Sequence, residues 1–304
     1  MQKSLAVCLN PTFQRTFVVP HLWENEVMRS DEYYYDVAGK GLNTARVLTQ
    51  LGCQAVHLTH VGGPYRDLYL EENRKAHLTI AWIETKSSIR TCYTIVNKAA
   101  HTTTEIVEEP FAVSCDAEEQ LMRRFKELIP SIDTLIISGS MAPGYSDKLY
   151  PDMVKEAKAL NKQVVLDIRG KALLDSMQYH PDYINPNFYE FTGTFMPELP
   201  IKEHEDNEEI TDRVRHKMLE IFKTHGSACV LTHGSRPTLY VEDGVVHQSP
   251  VKHIVPLNTI GSGDAFTAGF VSVIQKGGTV KEAVYKGQEC GALNALQIRP
   301  GTIR

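Results

Sequence analysis

Asn258-Thr259-Ile260-Gly261-Ser262-Gly263-Asp264-Ala265-Phe266-Thr267-Ala268-Gly269-Phe270, near the C-terminal end of a 304-residue chain, sets two glycines and a serine directly before an aspartate. The residues after Asp264 are mostly apolar and rich in Ala and Gly, and read as the start of a helix. Glycines let the backbone turn sharply and leave N–H groups uncovered. A helix N-terminus adds about half a positive charge. Together they form an anion cradle with a carboxylate beside it. Phosphoryl transfer to an alcohol needs both parts. Taken alone, the segment also fits a tight turn whose Asp merely faces the helix dipole. A dinucleotide fingerprint fits less well. Phe266 stands where the third glycine belongs, and the segment lies far from a first βαβ unit.

Outward from this turn, short apolar runs alternate with amphipathic stretches. Residues 5–9, 55–61, 134–138, 163–167, 183–185 and 228–232 read as buried parallel strands. Residues 41–52, 66–77, 117–128, 146–160 and 208–225 read as helices. The alternation predicts a doubly wound α/β sheet. The strands end in polar or glycine-rich stretches, among them Asn10-Pro11, Ser138-Gly139-Ser140, Asn185-Pro186-Asn187 and Thr232-His233-Gly234. In open α/β sheets ligands bind at that carboxyl edge. Residues 13–19 with 32–37, and 88–98 with 102–107, read instead as β-hairpins rich in Thr, Tyr, Val and Ile. They predict a small sheet, built from residues 12–37 and 88–108, that serves as a lid, as a dimer surface, or as both. An extension of the main sheet is the other reading. The expectation is one three-layer α/β domain over residues 1–304 with that β-lid.

Composition bounds the function. Hydrophobic residues make up 42% of the chain and charged residues 23%, as in ordinary globular enzymes. A net charge of −5 gives no nucleic-acid footprint. No apolar run approaches the roughly 18 residues of a membrane helix, and the first residues read as a buried strand, not a signal peptide. The six cysteines are dispersed with no C-x-x-C pair, which argues against a zinc site or disulfide framework. The expectation is a cytoplasmic protein with no nucleic-acid or membrane partner.

Several motifs converge on one family. Leu9-Asn10-Pro11, Ala38-Gly39-Lys40-Gly41-Leu42-Asn43-Thr44-Ala45-Arg46, Ser138-Gly139-Ser140, Asn187-Phe188-Tyr189-Glu190 and Gly261-Ser262-Gly263-Asp264 occur in that order. The chain resembles the ribokinase-like (PfkB) carbohydrate kinases, in particular the branch of tagatose-6-phosphate kinase and 1-phosphofructokinase. The resemblance implies ATP and Mg²⁺ as cofactors and a sugar phosphate as acceptor. With the small sheet read as above, the expectation is a homodimer through the lid.

The resemblance further implies roles for single residues. Asp264 is the expected base that takes the hydroxyl proton, with the backbone of Gly261, Ser262 and Gly263 on the transferring phosphoryl group. Gly39, Lys40, Asn43 and Ser138 are expected at the sugar site with Gln14. Arg90 is expected to clamp the phosphate already on the substrate, since its fork matches phosphate oxygens. Thr232, Gly234, Asn187 and Asn294 are expected on the nucleotide side. Asn187 and Glu190 sit three apart at a helix start, a spacing that also fits a capping pair. The resemblance implies that Glu190 positions Mg²⁺ largely through water.

Four positions depart from the family pattern. Gln14 replaces a usual Asp, Ala38 a usual Gly, Arg169 a usual Ser, and Pro237 a common Gly. They leave open a kinase of an unphosphorylated sugar or nucleoside, and a non-catalytic sugar-phosphate sensor. Lys40 and Arg90 argue against the first, because a free sugar offers them no anion. Asp264 together with Glu190 argues against the second.

Overall fold

The computed structural model describes residues 2–199 and 207–304. In chain order the elements are β1 (Lys3–Val7), β2 (Thr12–Val19), β3 (Glu32–Ala38), α1 (Lys40–Gln50), β4 (Gln54–Gly62), α2 (Arg66–Lys75), β5 (Thr79–Thr85), β6 (Arg90–Asn97) and β7 (Thr102–Val107). Then come α3 (Ala117–Leu128), β8 (Thr134–Ser138), α4 (Leu149–Ala159), β9 (Gln163–Asp167), α5 (Gly170–Ser176), β10 (Tyr183–Ile184) and α6 (Phe188–Phe195). The last group is α7 (Glu208–His225), β11 (Ala228–His233), β12 (Arg236–Glu242), β13 (Val245–Ser249), α8 (Ser262–Ile274) and α9 (Val280–Ala295).

The apolar runs lie side by side because each strand must bury both faces. In β8, Leu135 and Ile137 enter one core while Ile136 enters the other; in β9, Val164 and Leu166 oppose Val165 in the same way. Phe125 of α3, Met153 of α4, Phe191 of α6 and Met218 of α7 fill the first core. Leu48 of α1, Phe270 of α8 and Val284 of α9 fill the second. The result is three layers, helix on sheet on helix. The small residues of α8 and α9 let them touch: a Cβ on Gly269 would come 2.6 Å from the Lys286 carbonyl, and one on Gly287 2.9 Å from the Phe266 ring.

The main sheet has the order β13-β12-β11-β10-β9-β8-β1-β4-β5. From β11 to β5 the strands are parallel; β12 and β13 extend the sheet antiparallel. Strand succession reverses direction between β1 and β8, which opens a crevice at their carboxyl ends. The two predicted hairpins join into a separate four-stranded sheet, β3-β2-β6-β7, with β2 and β6 parallel at its centre. Phe13 fixes its base. The ring stacks on Tyr35 at 4.8 Å and meets Tyr69 of α2 edge-on at 5.6 Å.

Three strands fall outside the sequence reading: β5, β12 and β13. The β12–β13 turn is Asp243-Gly244 with φ of 51° and 74°, the two left-handed residues a tight hairpin requires. No described helix is long and apolar enough to cross a membrane.

Candidate active site

The crevice between β1 and β8 deepens into a cavity of about 500 Å³. Asn10 follows β1, Ser140 follows β8, and the Asn10 amide donates to the Ser140 hydroxyl at 3.0 Å. Helix α1 starts at Lys40, after Gly39 with φ 121°, and its first side chain enters the cavity. Lys40 Nζ lies 3.4 Å from Asp167 Oδ1 at the end of β9. Attraction to Asp167 holds the Lys40 ammonium charged, well above its usual range. The Ser138 hydroxyl donates to Asp167 Oδ2 at 2.6 Å. Arg90, the first residue of β6, comes from the small sheet into the same cavity. The carbonyl of Glu108 accepts from its Nη1 at 3.0 Å, and its buried Nε has no partner.

Glu190 lines this cavity too. It forms a full capping box with Asn187. Asn187 Oδ1 accepts from the Glu190 N–H at 2.8 Å, and Glu190 Oε2 accepts from the Asn187 N–H at 3.1 Å. Arg169 Nη1 stands 3.8 Å from the other carboxylate oxygen. Asn187 is thus committed to starting α6, the capping role its spacing allows.

A second cavity of about 500 Å³ lies across the sheet edge. Thr232 and Gly234 at the end of β11, Val251, Ile254, Phe266 and Ala292 wall it. Its one long amide, Gln288, already donates to Thr238 Oγ1 and the Ser249 carbonyl at 3.1 Å each and accepts from Ser249 Oγ at 3.0 Å. Such a slot suits a flat, mostly apolar ring system.

The turn into α8 stands beside this second cavity, which Ser262 and Gly263 help to line. Gly261 has φ 82°, and a Cβ there would sit 2.7 Å from the Gly301 nitrogen, so only glycine fits. Asp264 comes next in the first turn of α8, 5% exposed. Its Oδ2 accepts from Asn43 Nδ2 of α1 at 2.8 Å. Burial pushes its carboxyl up to about 6, with Lys40 the largest opposing influence and Asp167 adding to the rise. Ser262 and Gly263, just before it, line the second cavity, and a buried carboxyl raised toward 6 is the kind of group that proton-transfer chemistry uses.

Several expected contacts are used inside the protein. Ser138 is fully buried and positions Asp167; Gly139 and Ser140 line the cavity in its place. Asn43 is buried, donating to Asp264 and accepting from Arg46 at 3.2 Å. Gln14 is buried, and its Nε2 donates to Thr94 Oγ1 at 2.6 Å. The Ser262 N–H turns back onto the Thr259 carbonyl at 3.1 Å. Asn294, expected on the nucleotide side, is fully buried behind the α8 turn. It donates to the Ile260 carbonyl at 2.9 Å and Ser262 Oγ at 3.1 Å, and accepts from the Thr302 N–H at 3.2 Å. Its polar atoms are satisfied by protein, so it supports the cradle. Asp167 read only as a polar residue ending an apolar run and Asn10 as that and as part of the Leu9-Asn10-Pro11 motif, while the contacts each makes across the crevice were not legible.

The architecture is similar to that of solved sugar kinases. A mutant of phosphofructokinase-2 from Escherichia coli is 20% identical, with 99% of this chain and 95% of that one covered and a TM-score of 0.85. A possible 1-phosphofructokinase from Thermotoga maritima is 21% identical over 98% and 93%, with a TM-score of 0.86. Ribokinase from the same organism is 20% identical over 99% and 94%, with a TM-score of 0.70. At such identities the likeness establishes a shared fold, the three-layer ribokinase-like one. The model of the family described as pfkB family carbohydrate kinase matches residues 6–303. The chain therefore belongs to the pfkB family of carbohydrate kinases, and it is a phosphotransferase that acts on a sugar.

Proposed function

We propose that this kinase transfers the γ-phosphate of ATP to a hydroxyl of a sugar that already carries a phosphate, converting a ketohexose phosphate to a bisphosphate. One observation carries the choice of acceptor: Lys40 of α1 and Arg90 of the small sheet line the same cavity. Two cations facing one polyol-sized space call for an anion, which a phosphosugar brings and a free sugar lacks.

Each side chain has a place in the chemistry. Lys40 and Arg90 hold the substrate phosphate and so orient the sugar. Asp264 takes the proton of the attacking hydroxyl, and Asn43 aims its carboxylate. The backbone at Gly261 and Gly263, with the helix dipole of α8, favours the charge on the moving phosphoryl group. Thr232 and Gly234 border the slot for the nucleotide base. Among the described residues no cluster of three or more His, Cys, Asp or Glu could hold a metal unaided. Magnesium usually binds phosphate oxygens and water with a carboxylate behind. Glu190, which lines the acceptor cavity, would hold the ion through water. When bound, the ion would neutralise phosphate charge.

The test is a coupled ADP-release assay with Mg·ATP. Fructose 1-phosphate, fructose 6-phosphate, tagatose 6-phosphate and the free sugars serve as acceptors, with Asp264→Asn as the blank. Turnover confined to a phosphosugar is expected. Turnover on free sugars alone would overturn the acceptor class. Silence throughout, with a sugar phosphate still binding, would favour a sensor.

A further inference from the structure

The register of the small sheet decides which side chains face the acceptor. Thr12 pairs with Arg90; Gln14 pairs with Asp36 on one side and Cys92 on the other; Thr16 pairs with Tyr34 and Thr94. Paired residues share a face, as do residues two apart along a strand. Arg90 lines the acceptor cavity. Gln14, Asp36 and Thr16 therefore belong to the same face of the sheet.

On this face three buried polar atoms have no hydrogen-bond partner: Arg90 Nε, Asp36 Oδ2 and Thr16 Oγ1. Leaving such a group unsatisfied is costly. Arg90 lines the acceptor cavity and the other two lie farther along the same face, a set that a ligand with both hydroxyls and an anion would satisfy. A polyol phosphate has that chemistry. Its hydroxyls donate to the carboxylate and the threonine, and its phosphate accepts from the guanidinium.

Asp36 stands out within the set. Gln14 already donates to Thr94. Asp36 keeps Oδ1 3.5 Å from Arg299 Nη1, with its side chain 13% exposed, and leaves Oδ2 over. Burial raises its carboxyl, while Arg299 and Arg46 oppose the rise. Asp36 also connects to the reacting centre. Arg46 donates to the carbonyl of the adjacent Val37 and to Asn43, and Asn43 holds Asp264.

We propose that Asp36 is the residue that reads the acceptor's hydroxyls from the small sheet, with Oδ2 accepting from a hydroxyl other than the one phosphorylated and Thr16 Oγ1 beside it. It sets which hydroxyl configuration the kinase accepts. The inference rests on the sugar-phosphate reading and narrows it.

The test combines kinetics with binding. Fructose 1-phosphate, fructose 6-phosphate and tagatose 6-phosphate are assayed with wild type, Asp36→Asn, Arg299→Ala and the double variant Gln14→Asp/Asp36→Asn. The same three compounds are titrated calorimetrically into wild type and Asp36→Asn, which needs no turnover. For the compound turned over, Asp36→Asn should raise its KM tenfold or more, with KM for ATP and the melting temperature little changed. Gln14→Asp in that background should recover much of the loss, because it restores a carboxylate directly across the strand pair. Arg299→Ala should have a smaller effect. An unchanged KM in Asp36→Asn would overturn the proposal. So would an equal effect of Arg299→Ala, which would make Asp36 only a holder of Arg299. A loss of sheet stability or of oligomeric state without a selective change in sugar KM would overturn it too. Absence of turnover in wild type speaks against the kinase reading alone, and Asp36-dependent binding in the calorimeter would then still support the site. Binding by neither protein would remove both.

Discussion

The Asp264 carboxylate sits where burial and neighbouring charge oppose each other. Burial is the larger effect and raises it to about 6, although Lys40 and the Asn43 amide favour the charged form. Only the ionised carboxylate can accept a proton, so kcat/KM should rise with pH through about 6 and then level. The sign for stability is the reverse. A carboxyl whose folded value is raised stabilises the fold fully below its unfolded value of about 3.9 and loses that contribution as pH rises through about 6. At pH 8 the buried charge thus costs about 3 kcal/mol, from a shift of about two units. Asp264→Asn keeps an oxygen for Asn43 and removes the charge. It should lower turnover by about 10²–10⁴ while melting several degrees higher than wild type at pH 8, with the two curves converging near pH 4. A melting temperature below that of wild type at pH 8 would show that the charge is not a burden on the fold. Asp264 was legible in the sequence because a glycine turn before a helix leaves its chemistry local. Asp36 was not, because Tyr33-Tyr34-Tyr35-Asp36 shows no facing of its own until a partner strand fixes which side each residue takes.

At the level of elements, the α8 turn is assembled from segments distant in sequence. Asn294 of α9 ties the Ile260 carbonyl, the Ser262 hydroxyl and the Thr302 N–H together, and Arg46 of α1 donates to the Pro300 carbonyl at 3.1 Å. Asn294→Ala would leave buried backbone groups unpaired at about 1–3 kcal/mol each. The expected result is a lower melting temperature and a fall in kcat of more than tenfold as the cradle loosens. A wild-type melting temperature with only KM for ATP raised would return Asn294 to the nucleotide. The sequence placed Asn294 on the last helix but could not say what lies against it. The same limit separates the elements that were read from those that were not. β1, β4, β8, β9 and β11 show as apolar runs because neighbours cover both their faces. β5 alternates as an edge strand, TIAWIET, and β12 opens on Arg236-Pro237, so neither resembles a buried strand. The Asp243-Gly244 turn was a readable hairpin signal. The parallel pairing of β2 with β6 was not, since the two strands belong to hairpins far apart in the chain.

For the molecule as a whole, the reversal between β1 and β8 explains why the acceptor cavity opens where it does. The second cavity lies farther along the same carboxyl edge, with the α8 turn beside it. The small sheet adds two unlike faces. One is polar and holds Arg90, Gln14 and Asp36. The other carries Phe17, Tyr33, Tyr93, Ile95 and Ile106. On that side Tyr33 is 65% exposed and Ile106 59%, and Trp23 nearby in sequence is 61% exposed. Large apolar side chains gathered on a projecting sheet are what a partner surface would cover. A second copy of this chain, packed face to face there, would cover them and stiffen the sheet that carries Arg90. Light scattering on the eluting protein at micromolar concentration should give a mass twice the 34.1 kDa of one chain. Tyr33→Glu with Ile106→Glu should shift it to the monomer. Because neither residue faces the acceptor, the same pair should raise sugar KM only by loosening the sheet, with the melting transition of the main fold kept. A wild-type monomer at every concentration, or a dimer that survives both charges, would place any association elsewhere on the molecule.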